Sequence, residues 1–348
     1  MANLRPLNHA AAVEAAALSD RLTKPRYALG RLETLGAQLA GIAGVSPPPV
    51  PAPAAVAVFA ADHGVVAEGV TPWPSEVTAQ MVANFCAGGA AISVLARHSG
   101  TRVLVVDVGV ASTLPNDLPP DSFVAAKVRP GTGNIAIQPA MTVDEARAAM
   151  DVGADTAARL VVEGAACLAT GEMGIGNTTP SAALVAALCG RRPAEVTGRG
   201  TGIDDPMLAH KIAVVEQAVS RIPDHAEALD VLASVGGLEI AALAGFIVGG
   251  AAARVPVVID GLIALAAALV ANALAPDVRG YLIAGHRSTE PGATAALTYL
   301  GLEPVLDLEL RLGEGTGACL AVPVVQASAH ILREMATFDA AGVTDKDQ

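Results

Sequence analysis

Short runs of β-branched and small apolar residues alternate with long Ala- and Leu-rich stretches along most of this chain. Six of the short runs predict strands, at residues 55–60, 103–110, 166–170, 255–259, 280–284 and 305–308. The longer stretches predict helices at residues 75–97, 142–163, 180–189, 205–221, 237–253, 262–273 and 293–300. This alternation predicts an α/β fold in which a mostly parallel sheet is flanked by helices.

The composition adds two constraints on that fold. Hydrophobic residues make up 52% of the 348 residues but aromatic residues only 3%, so the core must be built from closely packed Ala, Val, Leu and Ile. The apolar stretch 238–276 is interrupted by Arg254 and Asp260, and its uncharged part, residues 261–276, is shorter than the roughly 20 residues that span a bilayer. The N-terminus has no signal-peptide pattern, so we expect a cytoplasmic protein with no membrane partner.

The charges and cysteines exclude further classes of function. The net charge is -12, with 34 acidic and 22 basic residues, and no basic cluster interrupts the sequence, which disfavours nucleic-acid binding. The cysteines lie far apart in apolar segments, and no histidine has the spacing of a zinc ligand; they are Cys86, Cys167, Cys189 and Cys319. We therefore expect reduced core cysteines and no metal.

A glycine-rich turn at residues 171–179 (GEMGIGNTT) follows one predicted strand and opens a helix. In a parallel α/β sheet ligands bind beyond the carboxyl ends of the strands, so this turn is a candidate site. Gly174 and Gly176 allow close approach to N–H groups at the helix N-terminus, which predicts an anion cradle. Asn177 stands where the GxxxxGK[ST] loop requires Lys, so a monophosphate is favoured over ATP. The alternative is a purely structural turn.

Two ionisable residues occupy comparable positions. Lys211 lies early in the helix that follows the turn 198–205, either within reach of the same pocket or at the surface. Glu314 lies between two glycines at a strand-to-helix junction. An enclosed carboxylate has a raised pKa and suits a general base, while helix capping is the alternative role. Glu172 and Glu290 occupy similar turns and are second candidates.

Six segments, in this order and spacing, resemble the nicotinate-nucleotide:dimethylbenzimidazole phosphoribosyltransferase family: FAADHGVVAEGVTPWPSEVTAQMV, TGEMGIGNTTPSAAL, VTGRGTGIDD, VVIDGLIALAAAL, GHRSTEPG and LDLELRLGEGTGA. They fall within residues 55–330. The resemblance implies a Rossmann-like sheet, a small helical subdomain from the two chain ends, a homodimer and no cofactor. It assigns residues 1–50 and 313–348 to the small subdomain and residues 51–312 to the α/β phosphoribosyltransferase domain.

The resemblance also implies a reaction. Phosphoribose would move from nicotinate mononucleotide to 5,6-dimethylbenzimidazole with inversion at the anomeric carbon, giving α-ribazole 5′-phosphate and nicotinate in cobalamin nucleotide-loop biosynthesis. Glu314 would be the general base, and Glu172 would lie near the reacting groups. The alternatives are another azole or a purine as acceptor, water as acceptor, and a non-catalytic protein that binds a nucleotide or azole.

The remaining site residues are transferred from the family motifs one by one. The phosphate and nucleotide would be held by Gly174, Gly176, Asn177, Thr178, Gly202, Lys211, Ser288 and Gly292, the last two facing nicotinate or ribose. The pocket for the acceptor base would be lined by Trp73, Ser75 and Gln80. Trp73 departs from the Tyr or smaller residue that the family pattern leads us to expect, so the preferred base can differ from dimethylbenzimidazole.

Overall fold

The computed structural model describes residues 4–344, and its centre is a six-stranded sheet with the order β3-β2-β1-β4-β5-β6. The strands are β1 (Ala54–Ala61), β2 (Arg102–Gly109), β3 (Phe123–Ala125), β4 (Cys167–Met173), β5 (Val257–Ile259) and β6 (Leu282–Ala284). Every neighbouring pair is parallel, which confirms the predicted fold class. The strand order reverses direction between β1 and β4, the place where open α/β sheets bind ligands.

Helices cover both faces of the sheet. They are α1 (His9–Arg21), α2 (Arg31–Ala43), α3 (Glu76–Cys86), α4 (Ala91–Ser99), α5 (Val143–Val162), α6 (Thr178–Cys189), α7 (Pro193–Val196), α8 (Asp205–Ser220), α9 (Ala228–Val235), α10 (Leu238–Ala252), α11 (Leu262–Leu274), α12 (Pro291–Leu300), α13 (Thr316–Glu334) and α14 (Phe338–Ala341). Short 3₁₀ helices lie at Gly64–Glu68 and Pro276–Tyr281. The predictions for α5, α6, α8, α10, α11 and α12 are confirmed to within about two residues at each end.

Two predicted elements are wrong. The run 305–308 is not a strand: Leu306 makes one isolated parallel bridge to His286, because β6 ends at Ala284 and the chain beyond it turns toward the site. The helix predicted over residues 75–97 is two helices, since Gly88, with φ +78°, ends α3 and the chain restarts at α4. The short edge strand β3 is absent from the sequence-based prediction.

The same break bears on the possibility of a membrane span. Among the described residues, the 24-residue segment Glu76–Ser99 is long and apolar enough to cross a bilayer. It is not one continuous helix, however, because residues 87–90 separate α3 from α4. Helix α3 contacts β1, and α4 contacts β2 and α13. The segment is therefore an integral part of the layer of helices around the sheet.

The core is packed by small side chains. All eight residues of β1 are buried. Helices α5 and α10 approach so closely that a Cβ on Gly153 would overlap the carbonyl oxygen of Ala242, and one on Gly245 would overlap that of Met150. Close contact between backbones therefore replaces the large aromatic side chains that this chain lacks.

A second, smaller apolar cluster lies beside the main core. It joins α1, α2 and the end of α13 through Ala15, Leu22, Ala40 and Leu332. Helix α2 also contributes Leu35, Leu39 and Ile42 to the main core, so the two clusters adjoin. The division of the chain at residues 50 and 313 stays a prediction.

Candidate active site

A cavity of about 400 Å³ opens beyond the carboxyl ends of β1, β4, β5 and β6. Its wall is formed by the segments that follow these strands, together with α8 and the loop before α13. Nine of the thirteen predicted site residues line it: Trp73, Glu172, Gly174, Gly176, Asn177, Thr178, Lys211, Ser288 and Glu314. Residues that are far apart in the sequence thus meet at the point where the strand order reverses.

The other four predicted residues do not line the cavity. Ser75 and Gln80 lie at the start and on the exposed side of α3. Gly202 is exposed beside Arg311. Gly292 is buried in the first turn of α12, where a Cβ would come within 2.7 Å of the carbonyl oxygen of Val196. Their assignment to ligands stays a prediction, and close helix packing accounts for glycine at position 292.

The glycine-rich turn before α6 is held in shape by internal hydrogen bonds. The Asn177 N–H donates to the Gly174 carbonyl at 3.1 Å, and the Thr179 N–H donates to the Gly176 carbonyl at 3.0 Å. The Ile175 N–H donates to the Thr78 hydroxyl at 3.1 Å. Within residues 4–344 the N–H groups of Gly176 and Thr178 donate to no protein acceptor, so the turn keeps these donors for a ligand at the N-terminus of α6.

Lys211 reaches this turn from α8. Its side chain is buried, with the residue 2% exposed, and Nζ lies 2.7 Å from the Thr178 hydroxyl oxygen. Burial lowers the pKa of Lys211 to about 8, and the nearby Glu290 carboxylate opposes that shift. Lys211 therefore places a cation beside the N-terminus of α6, the position at which an anionic group would bind.

Glu172, at the end of β4, connects the two sides of the cavity. One carboxylate oxygen accepts the Glu314 backbone N–H at 3.3 Å, and the other accepts a hydrogen bond from the Asn177 side-chain amide. Burial, together with the nearby carboxylates of Asp260 and Glu239, raises the pKa of Glu172 to about 8. Near neutral pH Glu172 can therefore gain or lose a proton as the charge of a bound ligand changes.

Glu314 lies in a strained loop before α13. Its φ is +63°, between Gly313 at +84° and Gly315 at +93°, a left-handed conformation that costs a residue with a Cβ about 1 kcal/mol. Asp260 holds this loop by accepting the Gly315 N–H at 3.2 Å and the Ala318 N–H at 2.9 Å. The loop thus fixes the direction of the Glu314 side chain.

The Glu314 carboxylate itself is buried, with the residue 6% exposed. Burial raises its pKa, the nearby Asp260 acts in the same direction, and a 3.2 Å hydrogen bond from the Ile92 N–H opposes both. A carboxylate with a raised pKa that still accepts a hydrogen bond from the start of α4 suits a general base, the role predicted for it.

Several cavity residues were not singled out by the sequence. Arg199, Arg311 and His286 line the wall, and the Arg311 guanidinium donates to the Gly200 carbonyl at 3.0 Å. The available signal was the polar, glycine-rich composition of the turns that hold the arginines: Arg199 lies between two predicted helices, and Arg311 follows the run 305–308. At the mouth, Leu312 is 58% exposed. Within residues 4–344, no three His, Cys, Asp or Glu side chains group as a metal site would require.

Known proteins resemble this chain over nearly its whole length. A family model described as phosphoribosyltransferase matches residues 4–343. The nicotinate-nucleotide–dimethylbenzimidazole phosphoribosyltransferase of Salinispora tropica is 57% identical, covering 99% of this chain and 98% of that protein. The enzyme of the same name from Chloroflexus aurantiacus is 56% identical, covering 98% and 96%.

The fold agrees as well. A crystal structure from Thermus thermophilus, titled as the same phosphoribosyltransferase, superposes with a TM-score of 0.93 at 48% identity, covering 97% of this chain and 100% of that one. Sequence identity of this extent over nearly the whole length goes beyond a shared fold. The chain belongs to the nicotinate-nucleotide–dimethylbenzimidazole phosphoribosyltransferase family, a family of pentosyltransferases.

Proposed function

We propose that this protein transfers the phosphoribosyl group of nicotinate mononucleotide to 5,6-dimethylbenzimidazole, forming α-ribazole 5′-phosphate for the nucleotide loop of cobalamin and releasing nicotinate. One observation carries the proposal: the glycine-rich turn with Lys211 and the buried carboxylate of Glu314 line the same cavity. The names of the relatives in turn supply the two reactants.

The nucleotide fits the polar side of the cavity. Its 5′-phosphate binds the N-terminus of α6, the Thr178 hydroxyl and the Lys211 ammonium, because these groups offer donors and positive charge together. Ser288, which is buried in the cavity wall, lies on the side of the nicotinyl ring and ribose.

The acceptor fits the apolar side. Val70, Val77, Met81, Ile175 and Leu312 give that wall an aliphatic surface, and Trp73 lies at its edge. A flat ring of two fused cycles gains free energy there by removing apolar area from water and by contact with the indole. The predicted site residues Ser75 and Gln80 stand just beyond this wall, on α3.

The reaction needs one proton acceptor. Glu314 takes the N–H proton of the benzimidazole, and the other ring nitrogen gives its lone pair to the anomeric carbon of ribose. The bond from that carbon to the nicotinyl nitrogen breaks, and its electron pair neutralises the pyridinium, so nicotinate leaves without a proton. Attack from the face opposite nicotinate inverts the anomeric carbon.

Glu172 stabilises the positive charge of the reacting centre. The bound pyridinium and the positive charge that develops on the ribose stabilise the ionised form of a carboxyl group beside them. Because the pKa of Glu172 is about 8 before the substrate binds, the cationic pyridinium ring of the nucleotide shifts Glu172 toward its ionised form. The carboxylate then stabilises the transition state electrostatically without making a covalent bond.

Chromatography of the reaction products tests the proposal. The purified protein and Glu314→Gln are each incubated with nicotinate mononucleotide and dimethylbenzimidazole, then with a panel of other benzimidazoles and purines. We expect α-ribazole 5′-phosphate from the unaltered protein and a loss of turnover in the variant. Release of nicotinate at the same rate without any base would indicate hydrolysis, and binding of both ligands without turnover would indicate a non-catalytic protein; either result refutes the transfer.

Two further features of the resemblance belong to the proposal. The protein acts as a homodimer, and light scattering after size-exclusion chromatography should give twice the mass of one chain. It acts in the cytoplasm, in accord with a site whose ligands are small metabolites, and cell fractionation should recover the activity there. Its reactants are small molecules, and no nucleic acid or membrane takes part.

A further inference from the structure

His63 and Glu239 form a buried pair that the mechanism above does not use. The His63 Nε2 atom lies 2.7 Å from a carboxylate oxygen of Glu239, and the two side chains are 1% and 0% exposed. His63 follows β1, whereas Glu239 lies in the first turn of α10, 176 positions away. The contact therefore exists only in the folded protein.

Two polar atoms of this pair lack hydrogen-bond partners. His63 Nδ1 and the second carboxylate oxygen of Glu239 are buried and have no hydrogen-bond partner in the part of the chain that the structure describes. Burying polar groups without partners is costly, and well-packed apolar residues of similar volume are often at least as stable. Stability alone therefore gives a weak reason for this pair.

The position of His63 suggests that the pair serves the neighbouring glycine-rich turn. A Cβ on Gly174, in the glycine-rich turn before α6, would lie 3.0 Å from His63 Nε2. A Cβ on Gly237, just before α10, would lie 2.6 Å from His63 Cε1. The imidazole ring is thus enclosed between two glycines, with the turn on one side and the start of α10 on the other.

Glu239 reaches the same site electrostatically. Its carboxylate is one of the charges that raise the pKa of Glu172, which in turn accepts a hydrogen bond from Asn177 of the turn. Neither His63 nor Glu239 lines the cavity. Both therefore act on bound ligands only through the turn and through Glu172.

We propose that His63 and Glu239 are positioning residues of the nucleotide site. The ring of His63 packs against Gly174, and Glu239 holds that ring in place, so that the turn at residues 174–178 keeps the shape in which it binds the phosphate. This inference rests on the proposed function, because it assigns the turn to the phosphate of the nucleotide. It predicts an effect on nucleotide affinity and none on the acceptor.

The test compares two substitutions of one residue. His63→Gln keeps a donor near the position of Nε2, whereas His63→Asn is too short to reach Glu239. We expect His63→Asn to raise the KM for nicotinate mononucleotide about tenfold, with kcat and the KM for the base changed by less than twofold. His63→Gln should restore the nucleotide KM to within about threefold of the unaltered protein. Equal KM values in the two variants would overturn the proposal.

A double variant covers the case in which His63→Asn does not fold. His63→Leu with Glu239→Leu leaves no unpaired buried charge and should unfold cooperatively on heating, yet bind the nucleotide about tenfold more weakly. Unchanged affinity in this folded variant would also overturn the proposal. The control is His330→Gln with Glu334→Gln, which removes an exposed His–Glu pair on α13 and should leave every constant unchanged.

Calorimetric titration with nicotinate mononucleotide in the absence of base separates this inference from the proposed function. If the unaltered protein forms no α-ribazole 5′-phosphate, the proposed function fails, but the binding constants of the His63 variants still test the positioning role. If the protein is active and the variants bind the nucleotide normally, only the inference fails.

Discussion

The affinity of this site for phosphate esters should fall steeply above pH 8. Lys211 is the buried cation beside Thr178 and the N-terminus of α6, and burial lowers its pKa to about 8. A phosphate monoester has a second pKa of about 6, so the ligand remains mainly a dianion throughout this range. The pH dependence must then come from the protein.

The size of the effect follows from the protonation of Lys211. Only the ammonium form attracts the phosphate, and the factor by which affinity is lost is one plus ten raised to the pH minus the pKa. With a pKa of about 8, that factor is about 1.1 at pH 7 and about 11 at pH 9. The dissociation constant should therefore rise about tenfold between pH 7 and 9, equivalent to about 1.4 kcal/mol.

Calorimetry with ribose 5-phosphate measures this without a cationic ring in the ligand. Glu172 also titrates near pH 8, and its negative charge would weaken anion binding in the same direction, so the measurement is made in Glu172→Gln. In Glu172→Gln the dissociation constant for ribose 5-phosphate should still rise about tenfold between pH 7 and 9. Adding Lys211→Met should weaken binding at pH 7 by about 10- to 100-fold, the usual value of a charge-assisted contact, and should abolish the dependence on pH.

Two results would refute the reasoning. If the dissociation constant in Glu172→Gln is flat from pH 7 to 9, Lys211 does not titrate in this range. If the double variant keeps the tenfold loss, another group binds the phosphate.

The remaining predictions concern the general base Glu314, the apolar wall that holds the acceptor, and the close packing at two glycines. Glu314→Gln should keep nucleotide affinity and lower turnover by about 10² to 10⁴, measured by product formation, and near-normal turnover would reject Glu314 as the base. Trp73→Ala should raise the KM for the base about three- to tenfold, as expected for loss of an aromatic contact at a half-exposed position, with the nucleotide KM as the internal control. Gly313→Ala places a methyl group at φ +84° against the Glu172 carboxylate, so both turnover and the unfolding temperature should fall; unchanged values would show that the loop can relax. Gly153→Ala should lower the unfolding temperature by several degrees or prevent folding, because its Cβ would overlap the Ala242 carbonyl, and an unaltered melting curve would contradict the close helix contact.

The sequence predicted the regular part of the fold because its signals are local. Apolar runs bounded by glycine and polar turns locate the strands, and the long helices α5, α10 and α11 follow from their composition. The break at Gly88 was missed because one glycine inside an apolar stretch is compatible with a continuous helix. The run 305–308 has strand composition, but whether it joins the sheet depends on where the chain beyond β6 turns.

The site was predictable where its residues lie in turns after strands. Glu172 and the turn at residues 171–179 could be identified because the placement of a ligand in a parallel sheet is a general property of that fold. Glu314 was identified from the glycines on both sides of it, although the run 305–308 before it is not a strand. Glu239 gave no such signal. It lies in a buried helix whose composition is that of ordinary core. Its role depends on the contact with His63, which is 176 residues away in the sequence.

Trp73 has a practical consequence for work on this protein. The chain contains one tryptophan, and that residue is 50% exposed at the edge of the cavity. Excitation at wavelengths absorbed only by indole therefore reports from a single known position. Its emission should change when an aromatic ring enters beside it, so stopped-flow fluorescence can follow the arrival of the acceptor in real time, without a label and in the unaltered protein.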